Sequence, residues 1–259
     1  MGMRRFRIVT YNIAHGRGLN PIQGTTSRRR LRSNLLRIAK FLEDLQPDVV
    51  ALQEVDENSR WAGNFDHLEF LREFGNFPHA VFGINNRREG LINLSYGNAI
   101  LSRHPIGEWE SIAFGQRTLG EKGFLFAEIE AYGRHVPVAN LHLHYRSRRH
   151  RLDQVARVFS YLHARQAAGS PHWSVPPVVC GDFNASGGTG DAPGRLLAEM
   201  EHFGGYALHP AGGRTFPSPM PTRALDFVLV PAHCRVVRSE VLPCWLSDHR
   251  PVLVEFALD

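Results

Sequence analysis

Residues 245–259 read WLSDHRPVLVEFALD, and the two halves of that stretch ask for different explanations. From Pro251 onward, Val252, Val254 and Phe256 alternate with Leu253, Glu255 and Ala257, the period-two signature of a β-strand entering a core. Just before it, Asp248, His249 and Arg250 set an acid, an imidazole and a guanidinium side by side. A polar residue at a strand end usually closes a turn. A chemical reading requires the same feature at other strand ends.

It recurs along the chain. VTYN stops on Asn12, VVALQ runs into Glu54, VANLHL carries His142, VVCGDFN carries Asp182 and Asn184, and ALDFVLV has Asp226 near its start. In open α/β sheets, sites form beyond the carboxyl ends of strands. Carboxylates, imidazoles and amides gathered at one sheet edge are costly unless a bound ion balances them.

The remaining pattern predicts strands at 5–11, 48–53, 97–101, 124–130, 136–143, 178–180, 224–230, 235–241 and 252–256. Leu31, Leu35, Ile38, Leu42 and Leu45 form one face of a helix, and Leu152, Val155, Ala156, Phe159 and Leu162 form another. Residues 69–74 are expected to be helical. Asp191 is placed to cap a helix over 194–203, with Pro193 in its first turn. No linker divides the chain, so residues 1–259 are read as a single domain. The later strands follow one another without helices between them, which implies mixed sheets.

A hydrophobic fraction of 43% in 259 residues supplies a sizeable core. No apolar run approaches the ~20 residues of a membrane helix, and the first residues lack the apolar stretch of a signal peptide. Cys180, Cys234 and Cys244 follow no zinc pattern, so buried thiols in a reducing, cytoplasmic setting are expected. A net charge of +5 favours anionic partners. Basic residues cluster at 28–32 and 146–151, both at expected helix starts.

The motifs TYNI (10–13), LQEV (52–55), YGNAILS (96–102), NLHL (140–143), GDFN (181–184), LDFVLV (225–230) and SDHRP (247–251) occur in that order. The chain thereby resembles the endonuclease/exonuclease/phosphatase superfamily, the relatives of deoxyribonuclease I. The resemblance implies a four-layered α/β sandwich, two mixed β-sheets packed face to face with helices outside. It also implies phosphate-ester hydrolysis by water attack with Mg²⁺, or with Mn²⁺ in its place. On that basis Glu54 is the main metal ligand, with Asn12 and Asp248 completing the set directly or through water. Asp226 pairs with His249, and Asp182 and His249 compete for the role of base. Asn184 and His142 donate hydrogen bonds to phosphate or water, and Arg250 anchors its loop. Tyr96, Asn98, His144, His15, Arg17, Arg60, Asp66 and His67 are candidates for substrate contact or for plain structure.

Two branches of the superfamily fit less well. Inositol polyphosphate 5-phosphatases usually carry an Arg soon after the GD-x-N motif, where Ala185 and Ser186 stand here. AP endonucleases usually carry a Lys two residues after the LQE glutamate, where Asp56 stands. The expectation is a monomeric phosphodiesterase acting on nucleic acid, a lipid headgroup or a small diester. A nuclease of DNA or RNA is the alternative. A catalytically inactive binding module is a third reading, disfavoured because every catalytic position is filled by the expected residue type.

Overall fold

The computed structural model describes residues 4–90, 93–115, 121–168 and 173–258. In chain order the elements are β1 (Arg5–Asn12), α1 (Arg28–Leu45), β2 (Val49–Asp56), α2 (His67–Phe74), β3 (His79–Arg88), β4 (Leu94–Ser102), β5 (Ile106–Ala113), β6 (Gly123–Ala131), β7 (Arg134–His142), α3 (Arg148–Ala167), β8 (Val178–Asp182), α4 (Ala192–Glu199), β9 (Tyr206–His209), β10 (Asp226–Pro231), β11 (Val236–Val241) and β12 (Val252–Ala257). The strands form two six-stranded sheets, ordered β11-β12-β1-β2-β4-β3 and β5-β6-β7-β8-β10-β9. Both sheets are mixed: β1–β2 and β7–β8 are parallel, and the other pairs antiparallel.

Side-chain alternation builds the layers. In β1, Phe6 and Ile8 face the second sheet while Val9 and Tyr11 face α1. In β10, Val228 and Val230 join the inter-sheet core while Phe227 and Leu229 meet α3 and α4. The inter-sheet core thus lies between two outer cores, one roofed by α1 and α2, the other by α3 and α4. This is the four-layered sandwich expected from the motifs. It also explains why the central strands are apolar on both faces.

The helices start where the caps are. Ser27 and Ser147 accept hydrogen bonds from Arg30 N and His150 N, and Asp191 accepts from Ala192 N. α4 ends at Glu199, and the expected continuation to 203 is a 3₁₀ turn, Met200–Phe203. β3, β5 and β9 were not expected from sequence. β3 and β5 close one side of the two sheets and β9 the far edge of the second; the half-exposed, charged residues of β3 and β5 carry no clear period, and β9 is only four residues long. The three cysteines are buried and none is in a disulfide, as expected. No helix among the described residues is long and apolar enough to cross a membrane.

Candidate active site

One edge of the sandwich collects the polar strand ends. In the second sheet, His142 lies opposite Asp182 across β7–β8, and Asp182 lies opposite Asp226 across β8–β10, so the three form a single row. In the first sheet, β1 ends on Asn12 beside Gln53 of β2. The loop entering β12 runs at the same edge: Ser247 donates to Asn12 O at 2.7 Å. Asn12, Glu54, His142, Asp182, Asn184, Asp248 and His249 line one cleft of about 330 Å³. All the residues expected at the site from sequence therefore converge, with Asp226 directly behind His249.

GDFN has a local logic. Gly181 has φ +139, and a Cβ there would lie 1.9 Å from Leu141 O, so only glycine lets β8 press against β7. Asp182 faces the cleft, while Phe183 is fully buried in the outer core, packed on Phe227. Asn184 turns with φ +51; its N donates to Asp182 Oδ1 at 2.8 Å and its Nδ2 to Leu143 O at 2.9 Å.

LQEV works through a bulge. The β2–β4 register breaks between Leu52 and Val55, and Glu54 has φ +56. Leu52 and Val55 both stay in the outer core, so the extra residue aims Glu54 out into the cleft. Asn140 of the opposite sheet holds this break. Its Nδ2 donates to Leu52 O at 2.8 Å and Ala99 O at 2.9 Å, and its Oδ1 accepts from Gln53 Nε2 at 2.7 Å. Asn98 adds a second clasp, donating to Gly123 O and Asn140 O.

The electrostatics separate the carboxylates. Burial alone would raise the pKa of Glu54, but His15, Lys122, His142 and His249 outweigh it and hold the group ionised, well below the usual range. Asp182 moves the other way, up to about 6. Burial and the charge of Asp226 raise it, against His249, Asn12 and the Asn184 amide. Burial would lower the pKa of His249, but Asp226 and Asp182 push it up to about 10. The Asp226 carboxylate receives His249 Nδ1 at 2.8 and 3.1 Å, leaving Nε2 facing Asp182 Oδ2 at 3.7 Å. Asn12 Nδ2 donates to the same Oδ2 at 2.9 Å.

Lys122 has no counterpart among the residues expected from sequence. It precedes Gly123, the partner of His142 across β6–β7, and its Nζ lies 3.4 Å from Glu54 Oε1 and 3.3 Å from His142 Nδ1. An ammonium can only donate, so His142 accepts at Nδ1 and carries its proton on Nε2. That N–H faces Asp182 Oδ2 at 3.4 Å. Burial and Lys122 together keep His142 neutral, well below the ordinary histidine value. Only its place one residue ahead of a strand ending at this edge hints at Lys122 in the sequence.

The lesser candidates divide. His15 reaches the site: Ala14 and His15 both have positive φ, which brings His15 Nε2 to 3.4 Å from Glu54 while its Nδ1 bonds Asp56 at 2.6 Å. Trp61 Nε1 holds the other Asp56 oxygen at 2.7 Å, and Tyr96 packs edge-on against His15. Arg17 lines the cleft and pairs with Asp248 at 2.6 Å. Arg250 anchors the 215–219 loop through Thr215 O and Ser218 O. His144 Nδ1 accepts from Arg146 N and Ser147 N and so shapes the entry to α3. Asp66 caps α2, His67 donates to Ala62 O, and Arg60 opens the 3₁₀ turn Arg60–Ala62; none of the three lines the cleft.

Two places offer metal-ligating atoms. Those of Asp182, Asp226 and His249 lie within 4.8 Å of one another, all buried. Their lone pairs are largely engaged by His249, Asn12 and the Asn184 amide. A hard cation wants about six oxygen ligands, several of them water. Glu54, held ionised, lines the open cleft with Asn12 and with Asp248, which also pairs with Arg17, and this oxygen-rich set suits a hard divalent ion better.

A model of the endonuclease/exonuclease/phosphatase family matches residues 9–249. The chain belongs to that family. Membership places it among hydrolases of phosphate esters. The YbhP protein of Escherichia coli (strain K12), known only as an uncharacterized protein, is 28% identical over 271 residues, covering 98% of this chain and 96% of its own. A family member from Beutenbergia cavernae DSM 12333 superposes with a TM-score of 0.75 at 22% identity, over 98% of this chain and 72% of its own. Another, from Bacteroides thetaiotaomicron, gives 0.71 at 16% identity over 100% of each chain. At those identities the structural likeness carries the fold, and the site's chemistry has to be read from this chain's own side chains.

Proposed function

We propose that this chain is a metal-dependent phosphodiesterase that hydrolyses a P–O bond by water attack. One observation carries the reading: the Asp182–His249–Asp226 unit and the ionised Glu54 meet at a cleft that adjoins two further cavities. It shares Arg17 with one neighbouring cavity, and Tyr145 and Asn184 with a second. A diester has two substituents that must leave the phosphorus in different directions, and this cleft accommodates both.

Asp182, with its raised pKa, takes the proton from water. Asn12 and the Asn184 amide hold its carboxylate in place. His249, kept cationic by Asp226, presents Nε2–H to the phosphate oxygens, and neutral His142 adds a second donor from its own Nε2. Asn184 has a further amide hydrogen for phosphate or water. Glu54 and Asp248 would hold the divalent ion, Mg²⁺ or Mn²⁺, with Asn12 directly or through water. When bound, that ion polarises the phosphoryl oxygen and balances developing charge. His15, braced by Asp56, steadies the free side of Glu54. We further propose a single-domain monomer working in the cytoplasm.

The test is hydrolysis of bis-p-nitrophenyl phosphate, p-nitrophenyl phosphate and supercoiled plasmid with Mg²⁺, Mn²⁺ or EDTA. Diester cleavage that needs the metal and vanishes in Asp182→Ala is expected. Cleavage that survives EDTA, or an untouched Asp182→Ala rate, would remove the proposal. Plasmid cleavage together with weak activity on the small diester would favour the nuclease reading.

A further inference from the structure

We propose that the substrate carries a second phosphate group, bound beside the catalytic cleft in the basic cavity between the start of α3 and the 184–191 loop. This rests on the phosphodiesterase reading and goes beyond it by naming the substrate's second charge. The cavity, about 570 Å³, is lined by Tyr145, Arg146, Arg148, Gly188 and Arg223 among others. It shares Tyr145 and Asn184 with the cleft, so one small molecule can span both.

Its charge is largely uncompensated. Arg151 is neutralised by Asp191, with Nε to Oδ1 at 3.0 Å. Among the described residues Arg146, Arg148 and Arg223 form no ion pair, and Arg148 only adds to the positive charge that Arg151 sets against Asp191. Arg148 is fixed in direction by donating Nε–H to Gly190 O at 2.5 Å. Arg146 lies 4.9 Å over the ring of Tyr145, which is itself exposed. Arg223 lies near the ring of Phe216, which packs on His249 at 4.9 Å. The three arginines are exposed, and each is held at the cavity rim by a ring contact or a backbone hydrogen bond.

Their placement runs against the local field. The first turn of α3 contains no acidic residue, although the positive end of a helix favours anions and disfavours guanidinium groups. An anion seated there would relieve both the helix end and the clustered arginines. The lining also includes Ser186, Gly188 and Gly190 of the exposed 186–190 loop, and a Cβ at Gly188 would meet nothing within 4 Å. Guanidinium forks match phosphate oxygens in pairs, which favours phosphate over a single carboxylate.

The experiment compares diesters that differ by one phosphate. One pair is thymidine 3′-(p-nitrophenyl phosphate) with and without a 5′-phosphate. The other is glycerophosphoinositol with and without a ring phosphate. Bis-p-nitrophenyl phosphate serves as the substrate without a second charge. In the wild type the extra phosphate lowers KM by about tenfold or more in at least one pair, as charge-assisted hydrogen bonds predict. The pair that responds identifies a nucleotide or a headgroup as its source. In Arg146→Ala/Arg223→Ala that preference disappears, while bis-p-nitrophenyl phosphate is cleaved at the wild-type rate, which also shows that the variant is folded. Equal KM within both pairs, or a preference that survives in the double variant, overturns the proposal. Failure of the wild type to cleave bis-p-nitrophenyl phosphate overturns the phosphodiesterase reading instead.

Discussion

Replacing Asn140 by Ala tests how the fold positions the metal ligand. Asn140 is fully buried and makes three side-chain hydrogen bonds, to Leu52 O, Ala99 O and Gln53 Nε2, at 2.7–2.9 Å. The two carbonyls flank the point where the β2–β4 register breaks, so the amide stands in for missing ladder bonds. Alanine removes the partner and leaves buried groups behind. Each such group costs about 1–3 kcal/mol, and because neighbouring losses do not add fully the sum is about 3–6 kcal/mol. Against a total stability of roughly 5–15 kcal/mol, that is a large share. It corresponds to a fall in Tm of about 10–20 °C for a chain of this size. Urea unfolding monitored by circular dichroism measures the loss. Activity should fall further than the folded fraction does, because the bulge no longer aims Glu54. A loss below about 1 kcal/mol with normal activity would refute the argument that this amide secures the bulge.

Four further outcomes follow from the same geometry. The rate on bis-p-nitrophenyl phosphate should be bell-shaped in pH: falling pH protonates Asp182 near 6 and removes the base, and rising pH discharges His249 near 10. Asp226→Asn should pull the alkaline limb down by several pH units in the same pH–rate series, and an unmoved limb would mean that His249 does not act as a cation. Lys122→Met should lower kcat by about 10–10³-fold, since His142 then loses the partner that fixes its tautomer, with Lys122→Arg restoring part of it; steady-state kinetics would show the opposite as two equal variants at wild-type rate. Gly181→Ala should fail to fold or melt far below the wild type in a thermal scan, given the 1.9 Å approach to Leu141 O.

Much of this architecture could be read from the chain before its structure was known. The central strands announce themselves because their two apolar faces serve two different cores, as Val228/Val230 and Phe227/Leu229 do. The edge strands β3, β5 and β9 do not, because HAVFGINNRR and IGEWESIA are half-solvated and carry charges where a period would show. Motif residues such as Glu54, Asp182, Asp226 and His249 stand out because polar groups interrupt apolar strands. Lys122 does not, because a lysine ahead of a strand is ordinary until the fold places it against His142. His15 is intermediate: the glycine-punctuated IAHGRG predicts a turn, and only two successive left-handed residues turn the ring onto Glu54.

The central claim concerns where the divalent ion is held, and anomalous diffraction from crystals soaked in Mn²⁺ addresses it most directly. An anomalous peak is expected at the Glu54 carboxylate, shared with Asp248, and it should disappear in Glu54→Gln. A peak lying only among Asp182, Asp226 and His249, or one unaffected by that substitution, would contradict that claim.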